Sequence, residues 1–114
     1  CALPISGFSV SAAGDVDGDE RDDLIVGGPG SDTGGSTSGA AYVLLGPLSG
    51  SATLGDSAYA TLLPHASVTE GGTSVAGGGD MDGDGTPDLL FGGPDYGYVA
   101  GGAGGAFLLF GADL

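Results

Sequence analysis

Asp15-Val16-Asp17-Gly18-Asp19-Glu20-Arg21-Asp22-Asp23 sets carboxylates at positions 1, 3, 5 and 9 of a short segment. Asp80-Met81-Asp82-Gly83-Asp84-Gly85-Thr86-Pro87-Asp88 repeats that spacing 65 residues later. Four anions so close in sequence repel one another unless a cation sits among them. Hard oxygen donors suit Ca2+, which takes six to eight such ligands and tolerates irregular geometry. The expected ligands in the first loop are the side chains of Asp15, Asp17, Asp19 and Asp23 with the backbone carbonyl of Arg21. In the second they are Asp80, Asp82, Asp84 and Asp88 with the carbonyl of Thr86. Gly18, Gly83 and Gly85 let the backbone curl where a side chain would obstruct. Runs of Asp and Gly are also ordinary solvated turns, but two copies in the same register favour the metal reading.

Other chemistries fit less well. An EF-hand needs glutamate at loop position 12, where this chain has Val26 and Phe91. Calcium-binding β-rolls repeat every nine residues, against 65 here. The single histidine, His65, follows Pro64 between the two copies and reads as a connector residue rather than a general base. No serine lies in a G-x-S-x-G elbow. The glycine runs at Gly27–Gly30 and Gly101–Gly105 lack the lysine of a phosphate cradle. The expectation is a non-catalytic protein.

The chain has 114 residues and a formal charge of −14, with Arg21 its single Lys or Arg. That balance disfavours nucleic acid and anionic membrane surfaces as partners. No apolar run approaches the roughly 18 residues that span a bilayer, and no signal peptide is visible. The lone Cys1 cannot form an internal disulfide; a lipid attachment point is the alternative to a simple boundary residue. With 40% apolar residues in clustered runs, the chain has the material for a folded core.

The elements that must hold the acidic loops follow from the duplication. Residues 1–49 superpose on 66–114 without a gap, and 17 of the 49 positions are identical. Each copy reads as strand, acidic loop, strand, glycine-rich loop, strand. The first strand runs around Phe8 to Ala13. Leu24-Ile25-Val26 and Leu89-Leu90-Phe91 are short, glycine-bounded apolar runs, and so buried strands. Gly-Gly-Pro is expected to break each of them. The polar loop Gly30–Ser38, and 95–103 in the second copy, leads to the third strands, Ala41–Leu45 and Ala106–Phe110. Ser57–Leu63 reads as a fourth strand of the first copy. Four short strands per 65 residues suit a propeller blade.

The acidic loop, the Leu-Ile-Val-Gly-Gly-Pro run and Ala-Tyr-Val-Leu-Leu-Gly together resemble the FG-GAP repeat of integrin alpha-subunit β-propellers, over nearly the whole chain. The resemblance implies an all-β fold of two blade-like antiparallel sheets, with residues 1–65 as one repeat and 66–114 as a truncated second, together one domain. It implies Ca2+ at both loops, and a calcium-binding adhesion or protein-interaction module outside the cell or at its surface. A carbohydrate-binding module, or a non-catalytic propeller segment of a larger secreted protein, is the alternative.

Three departures stand out. Glu20 occupies the sixth loop position, where the family has glycine; it either distorts the first site or adds an oxygen, and makes Mg2+ a second candidate ion there. The Phe-Gly element is reversed at Gly7-Phe8, with Thr73 in the second copy. A family propeller closes with seven blades, and this chain holds fewer than two. Exposed blade faces and edges therefore imply either an excerpt from a longer chain or association of copies; the expectation is a homo-oligomer, a dimer or higher, with strand exchange the economical route. The ligand is expected to be a protein or a glycan, and Asp95-Tyr96-Gly97-Tyr98-Val99 is the candidate contact loop.

Overall fold

The computed structural model describes residues 7–29, 39–51, 54–63, 68–69, 71–93, 95–96 and 105–114. Cys1, the loop 30–38, Pro64, His65 and residues 97–104, including most of the candidate contact loop, lie outside the described residues.

The fold is all-β. Strands β1 (Ser9–Gly14), β2 (Asp23–Gly28), β3 (Ala40–Leu44) and β4 (Ala60–Leu62) form one antiparallel sheet in chain order. A single helical turn, α1 (Leu54–Ser57), precedes β4. Strand β5 (Val68–Thr69) pairs with β8 (Asp95–Tyr96) as a small two-stranded sheet. Strands β6 (Ser74–Gly79), β7 (Asp88–Gly93) and β9 (Gly105–Leu109) form a second antiparallel sheet. A 3-10 turn closes the chain at Gly111–Asp113. Among the described residues, no helix is long and apolar enough to cross a membrane.

Three sequence expectations need correction. β2 ends ahead of Pro29, as expected, but Gly27 and Gly28 still belong to it, paired with Ala41 and Ala40, as Gly92 and Gly93 belong to β7 against Ala106 and Gly105. The reason is space. A Cβ on Gly27 would overlap the carbonyl oxygen of Gly72, where the second sheet crosses the first. The fourth strand is also shorter than Ser57–Leu63, because Ser57 ends α1 and the amide of Ala58 donates to the Leu54 carbonyl. Asp95 and Tyr96, expected in a flexible loop, are strand residues.

Alternation along the strands sorts the side chains into two faces per sheet. On the first sheet, Ile25, Ala41, Val43 and Leu62 point toward the second sheet, and with Ala13 and Val16 they form its half of the main core. Leu89 and Phe91 meet them, flanked by Val75, Phe107 and Leu109. The rings of Phe91 and Phe107 stack with centroids 5.0 Å apart, an arrangement worth about 1 kcal/mol beyond area burial. The opposite face of the first sheet carries Val26, Tyr42 and Leu44, the last two buried beneath Leu54 and Ala58. The inner strands run close. Ser9 Oγ donates to the Gly72 carbonyl at 2.9 Å, and a Cβ on Gly77 would lie 2.7 Å from Ala13 Cα.

Candidate metal centres

Each acidic loop joins the first two strands of its sheet, β1 to β2 and β6 to β7. The two loops are wound the same way. Asp15 Oδ1 accepts the amides of Gly18 (2.8 Å) and Asp19 (3.0 Å), and its Oδ2 accepts that of Glu20 (2.7 Å). Asp80 accepts from Gly83 (2.8 Å), Asp84 (3.1 Å) and Gly85 (2.8 Å) through the same oxygens. Asp17 and Asp82 each accept the amide two residues on at 3.2 Å. Asp19 accepts from Arg21 at 2.9 Å, and Asp84 from Thr86 at 2.8 Å. These are Asx-type turns, in which the carboxylates replace the backbone ladder that the loop cannot form.

Asp15, Asp17 and Asp19 each bring a carboxylate oxygen within 4.8 Å of the others. In the second loop Asp80, Asp82 and Asp88 do so. Desolvation raises the pKa of Asp17, and the charges of Asp19 and Asp23 and the hydrogen bond with Asp15 push the same way. Desolvation likewise raises Asp82, with Asp84 and Asp88 adding to it. Desolvation also acts on Asp15, but the donated amides, Glu20 foremost, and a hydrogen bond with Asp17 outweigh it and hold its pKa below the ordinary value. Asp80 is lowered chiefly by the Gly85 amide. Neighbouring carboxylates that resist ionising together, with oxygens this close, form a donor set that a hard divalent cation fits.

Asp23 and Asp88 make contacts that the sequence did not disclose. Both are buried. Asp23 Oδ2 accepts the Val16 amide at 2.8 Å and its Oδ1 the Gly46 amide at 2.8 Å. Asp88 repeats this with Met81 at 2.5 Å and Gly111 at 2.9 Å. Each carboxyl thus ties the start of its loop to the chain just beyond the third strand. Gly46 and Gly111 are glycines because a Cβ there would run into the carbonyl oxygens of Asp22 and Pro87. Their correspondence across the duplication was the one available signal. Both loops border one cleft, lined by Asp15, Asp17, Tyr59, Thr86 and Leu114.

Glu20 does not distort the first loop. It takes a left-handed conformation, φ +68°, where Gly85 has φ +89°, and its amide makes the equivalent bond. An L-residue held there is strained by about 1–2 kcal/mol. Glu20→Gly is therefore expected to raise stability by roughly 1 kcal/mol, since glycine's greater unfolded-state freedom offsets part of the relief. Denaturant titration in chelator, which removes any contribution from a bound ion, measures this.

Comparison with known proteins agrees with this geometry. The FG-GAP repeat model matches residues 6–44, which hold β1, the first acidic loop, β2 and β3. Integrin alpha pat-2 of Caenorhabditis briggsae is 38% identical over 87 residues, 75% of this chain. Integrin alpha ina-1 of Caenorhabditis elegans is 35% identical over 102 residues, 82% of this chain. The chain spans 7% and 9% of the lengths of these two relatives. Residues 6–44 are an FG-GAP repeat, and the two blade-like sheets together are similar in sequence to part of integrin alpha chains.

Proposed function

We propose that the chain is a non-catalytic, calcium-dependent module for adhesion or protein interaction outside the cell, in which Ca2+ is structural. The observation that carries this reading is the pair of superposable acidic loops, each bringing three carboxylate oxygens within 4.8 Å of one another. Asp15, Asp17, Asp19 and Asp23 with the Arg21 carbonyl hold one ion. Asp80, Asp82, Asp84 and Asp88 with the Thr86 carbonyl hold the other. A bound ion neutralises the clustered charge and fixes the hairpin, so its binding free energy adds to folding. The similarity to integrin alpha chains supports adhesion, and the millimolar Ca2+ outside cells is enough to fill modest sites.

Thermal melting with Ca2+ and with chelator tests this. A Ca2+ concentration about ten times Kd adds roughly 1.4 kcal/mol per site, so two filled sites raise the midpoint by roughly 10 °C. Asp82→Ala should remove about half of that gain, and Asp17→Ala the other half. A midpoint indifferent to chelator removes the support for the structural ion.

A further inference from the structure

The two acidic loops touch through their flanks. The first loop is entered at Gly14, immediately before Asp15, where the pairing of β1 with β2 shifts register. Gly14 has φ +76°, and a Cβ there would lie 2.9 Å from Pro87 Cγ and 3.2 Å from Gly78 Cα. Pro87 belongs to the far end of the other loop, between Thr86 and Asp88. Gly78 stands at its near end, two residues ahead of Asp80, at the matching register shift of β6 against β7. Ala13 extends the contact, since a Cβ on Gly77 would lie 2.7 Å from its Cα. One flank of the first loop thus rests on both flanks of the second.

The touching atoms have little freedom. A proline ring is tied to its own backbone, and Gly14 has no side chain that could yield. A shift of the Pro87 peptide is therefore passed on to the start of the first loop rather than absorbed by a rotamer change, as in any close-packed interior. The residues beside the contact are those that close the two loops. Asp15 follows Gly14 and gathers the Gly18, Asp19 and Glu20 amides. Asp88 follows Pro87 and ties Met81 to Gly111. Val16 and Leu89, the next residue of each segment, lie in one buried cluster.

We infer that Pro87 is a positioning residue for the first acidic loop as well as for its own, so that the two loops take up divalent cations cooperatively. The inference rests on the calcium reading of the loops proposed above. Filling one loop fixes the flank on which the other rests, and less ordering is then left for the second ion to impose. Charge acts the other way, because an ion in one loop cancels part of the negative potential felt at the other. Salt screens that opposing effect and leaves the contact unchanged, so the cooperativity should grow with added salt. In thermal melting the coupling makes each of Asp17→Ala and Asp82→Ala cost somewhat more than the half expected of independent sites.

The test is calorimetric titration of the metal-free chain with Ca2+ at about 0.15 M salt, on the wild type and on Asp17→Ala, Asp82→Ala and Pro87→Gly. The wild type should bind two ions with a Hill coefficient above 1. Each aspartate variant should bind one ion, about 5-fold or more weakly than the wild type, and the coupling factor should be the same from either side. Pro87→Gly should still bind two ions but independently, a change that mere loss of stability would not produce. Circular dichroism checks that it keeps its fold, with Pro87→Ala, which lacks the Cγ contact, replacing it if it does not. Two ions bound independently by the wild type overturn the coupling and leave the calcium reading standing. A wild type that binds no Ca2+ overturns both. Cooperativity undiminished in the folded Pro87 variant overturns the role of Pro87, and indicates coupling through folding of the whole chain.

Discussion

Gly27→Ala should be among the most damaging single substitutions in this chain, although it adds one methyl group. The new Cβ would fall inside the carbonyl oxygen of Gly72 and against Ser9 Oγ, itself hydrogen-bonded to that carbonyl. The obstacle is backbone, anchored by the bond from the Gly72 amide to the Gly92 carbonyl. It cannot rotate away as a side chain would. Relief requires the two sheets to separate where Ile25, Val43, Leu89 and Phe91 are packed, and opening such a core costs about 4 kcal/mol or more. Gly50→Ala is the control. Gly50 has φ +71° and nothing within 4 Å of a built Cβ, so it should lose only about 1 kcal/mol to backbone strain. Denaturant unfolding of the two variants measures the difference, and equal losses would mean that the crossing at Gly72 is not tight.

Asp23→Ala is expected to cost about 2–5 kcal/mol, because it leaves the Val16 and Gly46 amides without their acceptor in or beside the core, at about 1–3 kcal/mol each. Asp88→Ala should behave alike through Met81 and Gly111. Asp23→Asn keeps the shape but turns an amide NH2 toward one of the two donors, so it should recover only part of the loss. The same experiment separates the clasp from the proposed ion binding. In chelator the penalties of Asp23→Ala and Asp88→Ala should persist, since backbone amides remain unpaired. Those of Asp17→Ala and Asp82→Ala should shrink toward zero, since their contribution acts through the ion. If all four penalties vanish in chelator, the clasp has no weight of its own. If none does, the ion has none.

Local chemistry was legible in the residues themselves. The alternation of carboxylates and glycines shows where the chain must turn and which oxygens gather there, because an Asx turn is made within five residues. The order of strands in the first sheet follows from apolar runs taken in chain order, because consecutive strands tend to lie side by side and pair antiparallel. Gly27 shows where such reading stops. A glycine before proline signals a strand end on local grounds, and only the approach of Gly72, 45 residues away, reveals that it is needed for clearance within a continuing strand.

The 65-residue duplication determined by itself that two like sheets with like acidic loops would form. It did not determine which face of each sheet would be covered. Val10 and Val75 are the same residue at equivalent strand positions, as are Leu24 and Leu89, yet tertiary packing buries Leu89 and partly buries Val75 while Leu24 and Val10 are exposed. Burial is a property of what lies across the interface, and a repeat carries no record of its neighbours. The clasp of Asp23 on Gly46 has the same origin: its partners lie 23 residues apart and meet only once β3 has returned beside β2.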